Sequence, residues 1–254
     1  RRGEFEGPSN MILDLDVGNT RLKWRTVSAQ GIVGTSSANA LADADMFAGI
    51  SSEDVARVRV SCVAGRHNEN LITTWCEREL GVTPEFARSQ SRVGRVNNGY
   101  ADPQRLGVDR WMAILAAYAQ VASTCCIVDC GSATTLDFVT ASGNHLGGLI
   151  TPGLTMLKNS LLQDTQEITL LSEEDWLDPD QIAGRSTEQA VLGGIVGMTV
   201  ALIGNSVDRF EREQESESAL ILTGGDAQIV APHLSRGCEV NSGLVLDGLA
   251  LALP

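Results

Sequence analysis

From Met11 the chain reads MILDLDVGNTRLKWRTV, in which apolar and polar positions alternate on both sides of a Gly18-Asn19 pair. A period of two marks strands with one buried face. Gly and Asn tolerate the positive φ of a tight turn, so a β-hairpin is predicted. A third short strand is expected near Ile32–Gly34, and a helix over residues 40–50. VARVRVSCVA (55–64) alternates as a strand, and ENLITTWCEREL (69–80) has helical periodicity closed by Gly81. Residues 87–108 are rich in Arg, Asn and Gly and show little apolar pattern, which marks a segment that carries function rather than core. DRWMAILAAYAQVA (109–122) then predicts a helix with Asp109 in its first turn.

The second half begins the pattern again. CCIVDCGSATTLDFVT (125–140) reads as strand, Gly-Ser-Ala turn and strand, and HLGGLITPG (145–153) as a third strand. Pro152 and Gly153 open a helix to about Leu162, and residues 163–186 are acidic and irregular. Residues 186–213 form a long helix with Ser186 as its cap. ALILTGGDA (219–227) is a buried strand ending in a glycine pair. A helix, a short strand near Cys238–Val240 and a final helix from about Leu244 follow.

Composition narrows the class. The 254 residues are 43% hydrophobic and 20% charged, which suits a globular protein and excludes a disordered chain, a coiled coil or a disulfide miniprotein. Thirty-two acids against nineteen bases give a net charge of −13, and no basic patch marks a nucleic-acid partner. Lys23 and Lys158 are the two lysines. The six cysteines form no CxxC pair and read as reduced, cytosolic thiols. No uninterrupted apolar stretch reaches membrane-spanning length and no signal peptide is recognised, so the expected location is the cytoplasm, with no membrane partner. Residues 1–10, RRGEFEGPSN, read as a vector-derived leader before a natural start at Met11. His67, His145 and His233 lack metal-ligand spacing and are read as structural or surface residues.

The two halves share a motif. Ile12–Thr20 and Cys125–Thr134 each place an Asp at the end of an apolar strand, then x-Gly, then small amide or hydroxyl residues, then a returning strand. The Gly lets backbone approach a phosphate, turn N–H groups form an anion-binding concavity, and the Asp holds a cation or its waters. A single such hairpin would be unremarked, but a matched pair points to nucleotide phosphates and to a duplicated domain.

These residues resemble the phosphate loops of the acetate and sugar kinase, heat-shock ATPase and actin superfamily. Within it, Asp16-Val17-Gly18-Asn19-Thr20-Arg21-Leu22-Lys23-Trp24 resembles the first phosphate motif of type III pantothenate kinases. Asn98-Gly99-Tyr100, Pro103 and Leu106-Gly107-Val108-Asp109-Arg110 resemble that family's pantothenate-binding and catalytic motif. Asp129-Cys130-Gly131-Ser132-Ala133-Thr134-Thr135 resembles its second phosphate motif. Gly147-Gly148, Pro152-Gly153, Ser186-Thr187, Gly193-Gly194 and Leu222–Asp226 also match, in order and with suitable spacing.

The resemblance implies an α/β fold of two RNase H-like, actin-like ATPase domains with a central cleft, at 11–122 and 123–254, active as a homodimer. The implied reaction is ATP-dependent phosphorylation of the terminal hydroxyl of pantothenate, the first step of coenzyme A synthesis, with Mg2+ and a monovalent cation, K+ or NH4+. Asp109 is the implied general base. Tyr100, Gly107, Val108, Asp109, Arg110 and Thr187 are the implied pantothenate contacts, with Arg110 suited to its carboxylate. Residues Asp16 to Lys23 and Ser132 are the implied ATP contacts, and Asp129 the implied monovalent-cation ligand. The competing readings are a related kinase for another small hydroxyl substrate and a non-catalytic accessory or regulatory protein on the same scaffold.

Overall fold

The computed structural model describes residues 10–39, 55–164 and 183–254. The leader, the helix expected at 40–50 and most of the acidic stretch 163–186 lie outside the described residues.

Two compact units share the described chain. The first contains 10–39, 55–93, Asp102–Ala116 and Val245–Pro254, and the second contains Gly94–Ala101 and the described part of Ala117–Leu244. In the first unit, β1 (Met11–Val17), β2 (Arg21–Ser28), β3 (Gly31–Asn39), β4 (Val55–Cys62) and β5 (Glu85–Phe86) form a sheet of order β3-β2-β1-β4-β5. β1 runs antiparallel to β2 and parallel to β4. Two short strands follow, β6 (Arg92–Val93) and β7 (Val96–Asn97). In the second unit, β8 (Cys125–Cys130), β9 (Ala133–Val139), β10 (His145–Pro152), β11 (Ala219–Thr223) and β12 (Glu239–Val240) take the order β10-β9-β8-β11-β12. β8 is antiparallel to β9 and parallel to β11. The two sheets therefore have the same order and the same strand senses, and the sequence repeat falls on equivalent hairpins.

The period of two explains the first sheet. Leu13, Leu15 and Val17 point to one face of β1 and meet Val58 and Val60 of β4, with Ile72 and Cys76 packed over them. Each fully buried aliphatic side chain of this kind contributes about 1.5–3 kcal/mol. Ile72 lies on α1 (Gly65–Trp75), which a π-helical turn (Cys76–Leu80) extends to Gly81 at φ 67°. Glycine carries that left-handed stop at no steric cost, as the sequence pattern predicts.

α2 (Val108–Val121) puts Asp109 in its first turn, as expected. The last helix, α6 (Leu244–Ala252), belongs to the first unit from Val245 onward. A Cβ on Gly248 would lie 2.1 Å from the Met112 carbonyl oxygen, so α6 and α2 cross at a point that admits only glycine. α6 is also held by charge. Arg25 donates to Asp247 Oδ1 at 2.5 Å and to the Leu246 carbonyl at 2.7 Å, and Arg59 donates to the Leu253 carbonyl at 3.1 Å.

In the second unit, Cys126 and Val128 of β8, Leu220 and Leu222 of β11, and Ile195, Val196, Ile203 and Val207 of α4 (Thr187–Gln214) form the core. α3 (Leu154–Asp164) begins after Pro152, the last residue of β10, and contributes Leu154 to the same core. α4 is long and apolar enough to cross a membrane by length and composition, a property the sequence reading did not assign to any stretch. Four of its buried residues, Ile195, Val196, Ile203 and Val207, belong to the core of this unit. Ser186 caps it as expected, its hydroxyl accepting from Gln189 N at 3.2 Å. The predicted helix after β11 is short, α5 (Ala227–Val230), followed by a 3-10 turn.

β3 is longer than the expected Ile32–Gly34. Its register with β2 runs from Ser28↔Gly31 to Arg21↔Asn39. It is an edge strand whose second half is Thr, Ser and Ala, so no apolar alternation announces it. All six cysteines are free.

Candidate functional site

In the first unit the β1–β2 turn is closed by Gly18 N donating to the Arg21 carbonyl at 2.9 Å. A Cβ on Gly18 would sit 3.2 Å from that same oxygen. Asp16 is half-buried one residue before the strand end, in register with Lys23 on β2 and Ser61 on β4. Asn19, Thr20 and Arg21 are exposed. Val17 and Leu22 are fully buried in the core, so a ligand at this turn meets their main chain and not their side chains.

The same unit holds Gly107, Val108, Asp109 and Arg110. Asp109 Oδ1 accepts from Arg110 N at 2.7 Å, and a Cβ on Gly107 would lie 2.7 Å from that oxygen. A side chain at 107 would therefore have to shift the Asp109 carboxylate from this position. A negative charge in the first turn also suits the helix dipole. Arg110 and Val108 are buried. The approach to this turn is fixed by Ser89, whose hydroxyl donates to the Leu106 carbonyl at 2.8 Å, and by Asp102, which caps the turn at Pro103–Arg105. An open cavity of about 800 Å³ borders this stretch, lined by Arg88, Ser89, Gln90, Ser91, Asp102, Pro103 and Gln104. That volume is within the range of small-molecule sites.

In the second unit three segments meet at the turn that follows Asp129. Gly131 N donates to the Ala133 carbonyl at 3.1 Å, Gly153 N to the Ser132 carbonyl at 3.1 Å, and Asp226 N to the Cys130 carbonyl at 2.9 Å. A Cβ on Gly224, at φ +93°, would lie 2.5 Å from Asp129 Oδ1 and 2.4 Å from the Cys130 carbonyl oxygen. Only glycine fits there, by backbone conformation and by space. Ser132 is exposed on the turn, and Thr187 is exposed as the first residue of α4. Tyr100 belongs to this unit as well and stacks on His145, with ring centroids 6.1 Å apart at 16°.

The structure thus gathers Asp16–Lys23 and Gly107–Arg110 in the first unit, and Tyr100, Asp129, Ser132 and Thr187 in the second. Among the described residues, no three His, Cys, Asp or Glu side chains cluster as a metal site.

Two arrangements escaped the sequence reading. Asp14 is fully buried and clasped by Arg25 (2.9 Å) and Arg59 (2.7 Å). The signal was an acid inside an apolar strand, opposite another strand with arginines at alternate positions. His145, read as a structural or surface residue, is buried against Asp137 at 2.9 Å and beneath Tyr100. Nothing local to the sequence links these three.

Two equivalent five-stranded sheets, each with an Asp-x-Gly turn on its central hairpin, define the actin-like ATPase and sugar-kinase fold. A conserved Baf-family protein from Campylobacter jejuni matches with a TM-score of 0.59 at 19% identity, over 94% of this chain and 95% of that one. Component A of the (R)-2-hydroxyglutaryl-CoA dehydratase of Acidaminococcus fermentans matches with a TM-score of 0.51 at 14% identity, over 96% of this chain and 97% of that one. The family model for type III pantothenate kinase matches residues 12–209. A type III pantothenate kinase from Ectopseudomonas mendocina is 36% identical over 251 residues, covering 96% of this chain and 99% of that one. The chain belongs to the type III pantothenate kinase family.

Proposed function

We propose that the protein phosphorylates pantothenate with ATP to give 4'-phosphopantothenate, the first step of coenzyme A synthesis. The observation that carries this is the family membership over nearly the whole chain, together with the duplicated Asp-x-Gly turns on matched sheets. In this reading the turns at Gly18–Arg21 and Gly131–Ser132 present short side chains, and turn N–H groups other than those of Gly18 and Gly131, to the ATP phosphates. Lys23 adds a positive charge to an acidic chain.

Phosphoryl transfer needs positioning and charge stabilisation more than covalent help. The hydroxyl oxygen of pantothenate attacks the γ-phosphorus, the bond to the β,γ-bridging oxygen breaks, and ADP leaves. The hydroxyl proton passes to Asp109, in the first turn of α2. Arg110 pairs with the substrate carboxylate, and Tyr100, Gly107, Val108 and Thr187 complete the pantothenate contacts.

Mg2+ bound with a nucleotide needs only one or two carboxylates and keeps its waters, which fits a half-buried Asp16 beside a phosphate turn. A monovalent cation, K+ or NH4+, takes carboxylate and carbonyl oxygens. Asp129 offers the former, with glycines leaving space beside it. Such ions neutralise phosphate charge when bound. The protein acts in the cytoplasm as a homodimer, without nucleic-acid or membrane partners.

The test is ADP release by purified protein with and without pantothenate, in potassium and in sodium buffer. Turnover requiring both pantothenate and potassium is the expected result. Turnover with a sugar instead would favour a related kinase, and none with any acceptor would favour an accessory protein.

A further inference from the structure

The segment Arg95–Tyr100 lies along the β9–β10 turn of its own unit. Asn97 N donates to the Gly143 carbonyl at 2.9 Å, and Asn97 Nδ2 donates to Asn144 Oδ1 at 2.8 Å. Two glycines make this approach possible. A Cβ on Gly143 would lie 2.3 Å from the Arg95 carbonyl oxygen, and one on Gly99 would lie 1.9 Å from the His145 carbonyl oxygen. At the end of this seam Gly99 N donates to His145 Nδ1 at 3.3 Å. Tyr100 N donates to Asn98 Oδ1 at 3.0 Å, which turns the loop, and the Tyr100 ring stacks on the imidazole.

A backbone N–H only donates, so Nδ1 of His145 presents its lone pair to Gly99. The other nitrogen, Nε2, then carries the proton and donates it to Asp137 Oδ1 at 2.9 Å. Both side chains are buried. Asp137 sits on β9, in register with Ile127 of β8, at the position where the first unit has Arg25 opposite Asp14. The duplicated sheet has thus placed a different hydrogen-bonded polar pair at the equivalent place, and this pair faces the Asn98–Tyr100 loop. A buried imidazole fixed in tautomer and rotamer by a carboxylate is a rigid support.

We infer that His145, oriented by Asp137, is a positioning residue that seats the Asn98-Gly99-Tyr100 loop and so sets the affinity for the acceptor substrate. The inference rests on the proposed role of Tyr100 in binding pantothenate. His145 itself touches the loop backbone and the Tyr100 ring and takes no part in the transfer. It gives the loop a hydrogen bond, a stacking surface and a fixed direction before substrate arrives, which lowers the ordering cost of binding.

Two readouts separate this inference from the functional reading. The chain has two tyrosines, Tyr100 and Tyr118, so 3-fluorotyrosine labelling gives two 19F signals, assigned with Y100F. His145→Gln leaves Asp137 a donor while removing the imidazole and its contact with Gly99. In ligand-free H145Q the Tyr100 signal is expected to shift or broaden while the Tyr118 signal stays. KM for pantothenate is expected to rise about fivefold to tenfold, the scale of one lost hydrogen bond, with kcat and KM for ATP within about twofold. Gly99→Ala, which pushes the same loop off the His145 carbonyl, should raise the same KM. An unmoved Tyr100 signal in H145Q, or a fall in kcat at constant KM, overturns the inference. Absence of pantothenate turnover by the unaltered protein instead overturns the functional reading, and the 19F comparison still decides whether His145 seats the loop.

Discussion

Asp14 and Asp16 point to the same side of β1, two residues apart, and the structure gives them different work. Asp14 is fully buried between Arg25 and Arg59, which also hold the carbonyls of Leu246 and Leu253. Asp16 is half-buried beside the Gly18 turn. One seals the C-terminal helix to the sheet, and the other faces the candidate phosphate site.

Removing Asp14 leaves two buried guanidinium groups without their shared carboxylate. Asp14→Ala is expected to cost about 3–5 kcal/mol of stability, measured by urea unfolding. Asp16→Asn should change stability by less than about 1 kcal/mol but lower kcat/KM for ATP about a hundredfold, the scale of a lost charge-stabilising group. Equal stability losses in the two variants would contradict this division.

Asp109→Asn keeps the size of the side chain and an oxygen acceptor for Arg110 N. It is expected to lower kcat by about 10²- to 10⁴-fold, the usual contribution of a general base. Pantothenate binding, read by calorimetry, should change by only a few-fold. Unchanged turnover would remove Asp109 from the mechanism.

Gly224→Ala forces a side chain into a left-handed backbone at φ +93° and against Asp129 Oδ1. About 1–3 kcal/mol of destabilisation is expected from the backbone alone. Because the displaced group is the proposed cation ligand, the potassium concentration at half-maximal activity should also rise. Gly197→Ala, where an added Cβ meets nothing, serves as the comparison.

The cysteines give a chemical test of the core. Burial pushes the thiols of Cys76, Cys125 and Cys130 up to about 12, and that of Cys126 higher still. Cys238 is raised too, but is partly exposed. A thiol reagent at pH 8 should therefore label Cys238 first in the native protein, and all six only after denaturation. Rapid native labelling of Cys126 would mean that the second core opens easily.

Acid stability should report on Glu211. Burial raises its pKa, but hydrogen bonds from Arg236 and from the Ser218 N–H and hydroxyl outweigh this and hold it below the ordinary carboxylate value. A lowered folded pKa gives stability that is complete above the ordinary value and is lost as pH falls through the lowered one. Glu211→Gln should cost about 1 kcal/mol at pH 7, and the gap should close below about pH 4.

Period-two alternation sufficed for the two central hairpins, and helical periodicity sufficed for α1, α2 and α4, because each buries one face and the burial is written into residue spacing. The matched Asp-x-Gly turns were legible for a related reason. The duplication repeats a local motif, and glycine is the residue such turns require. β3 ran past its expected end because an edge strand of Thr, Ser and Ala needs only a neighbour's backbone. What the tertiary structure decided is long-range pairing. Arg25 meets Asp247 across 222 residues, and His145 meets a loop 46 residues earlier at Gly99. Local sequence sets which faces are apolar, and therefore the elements and the candidate turns. The partners of a buried charge are set only when the chain folds, because burying a charge away from water requires whichever opposite or polar group the topology brings within hydrogen-bond reach.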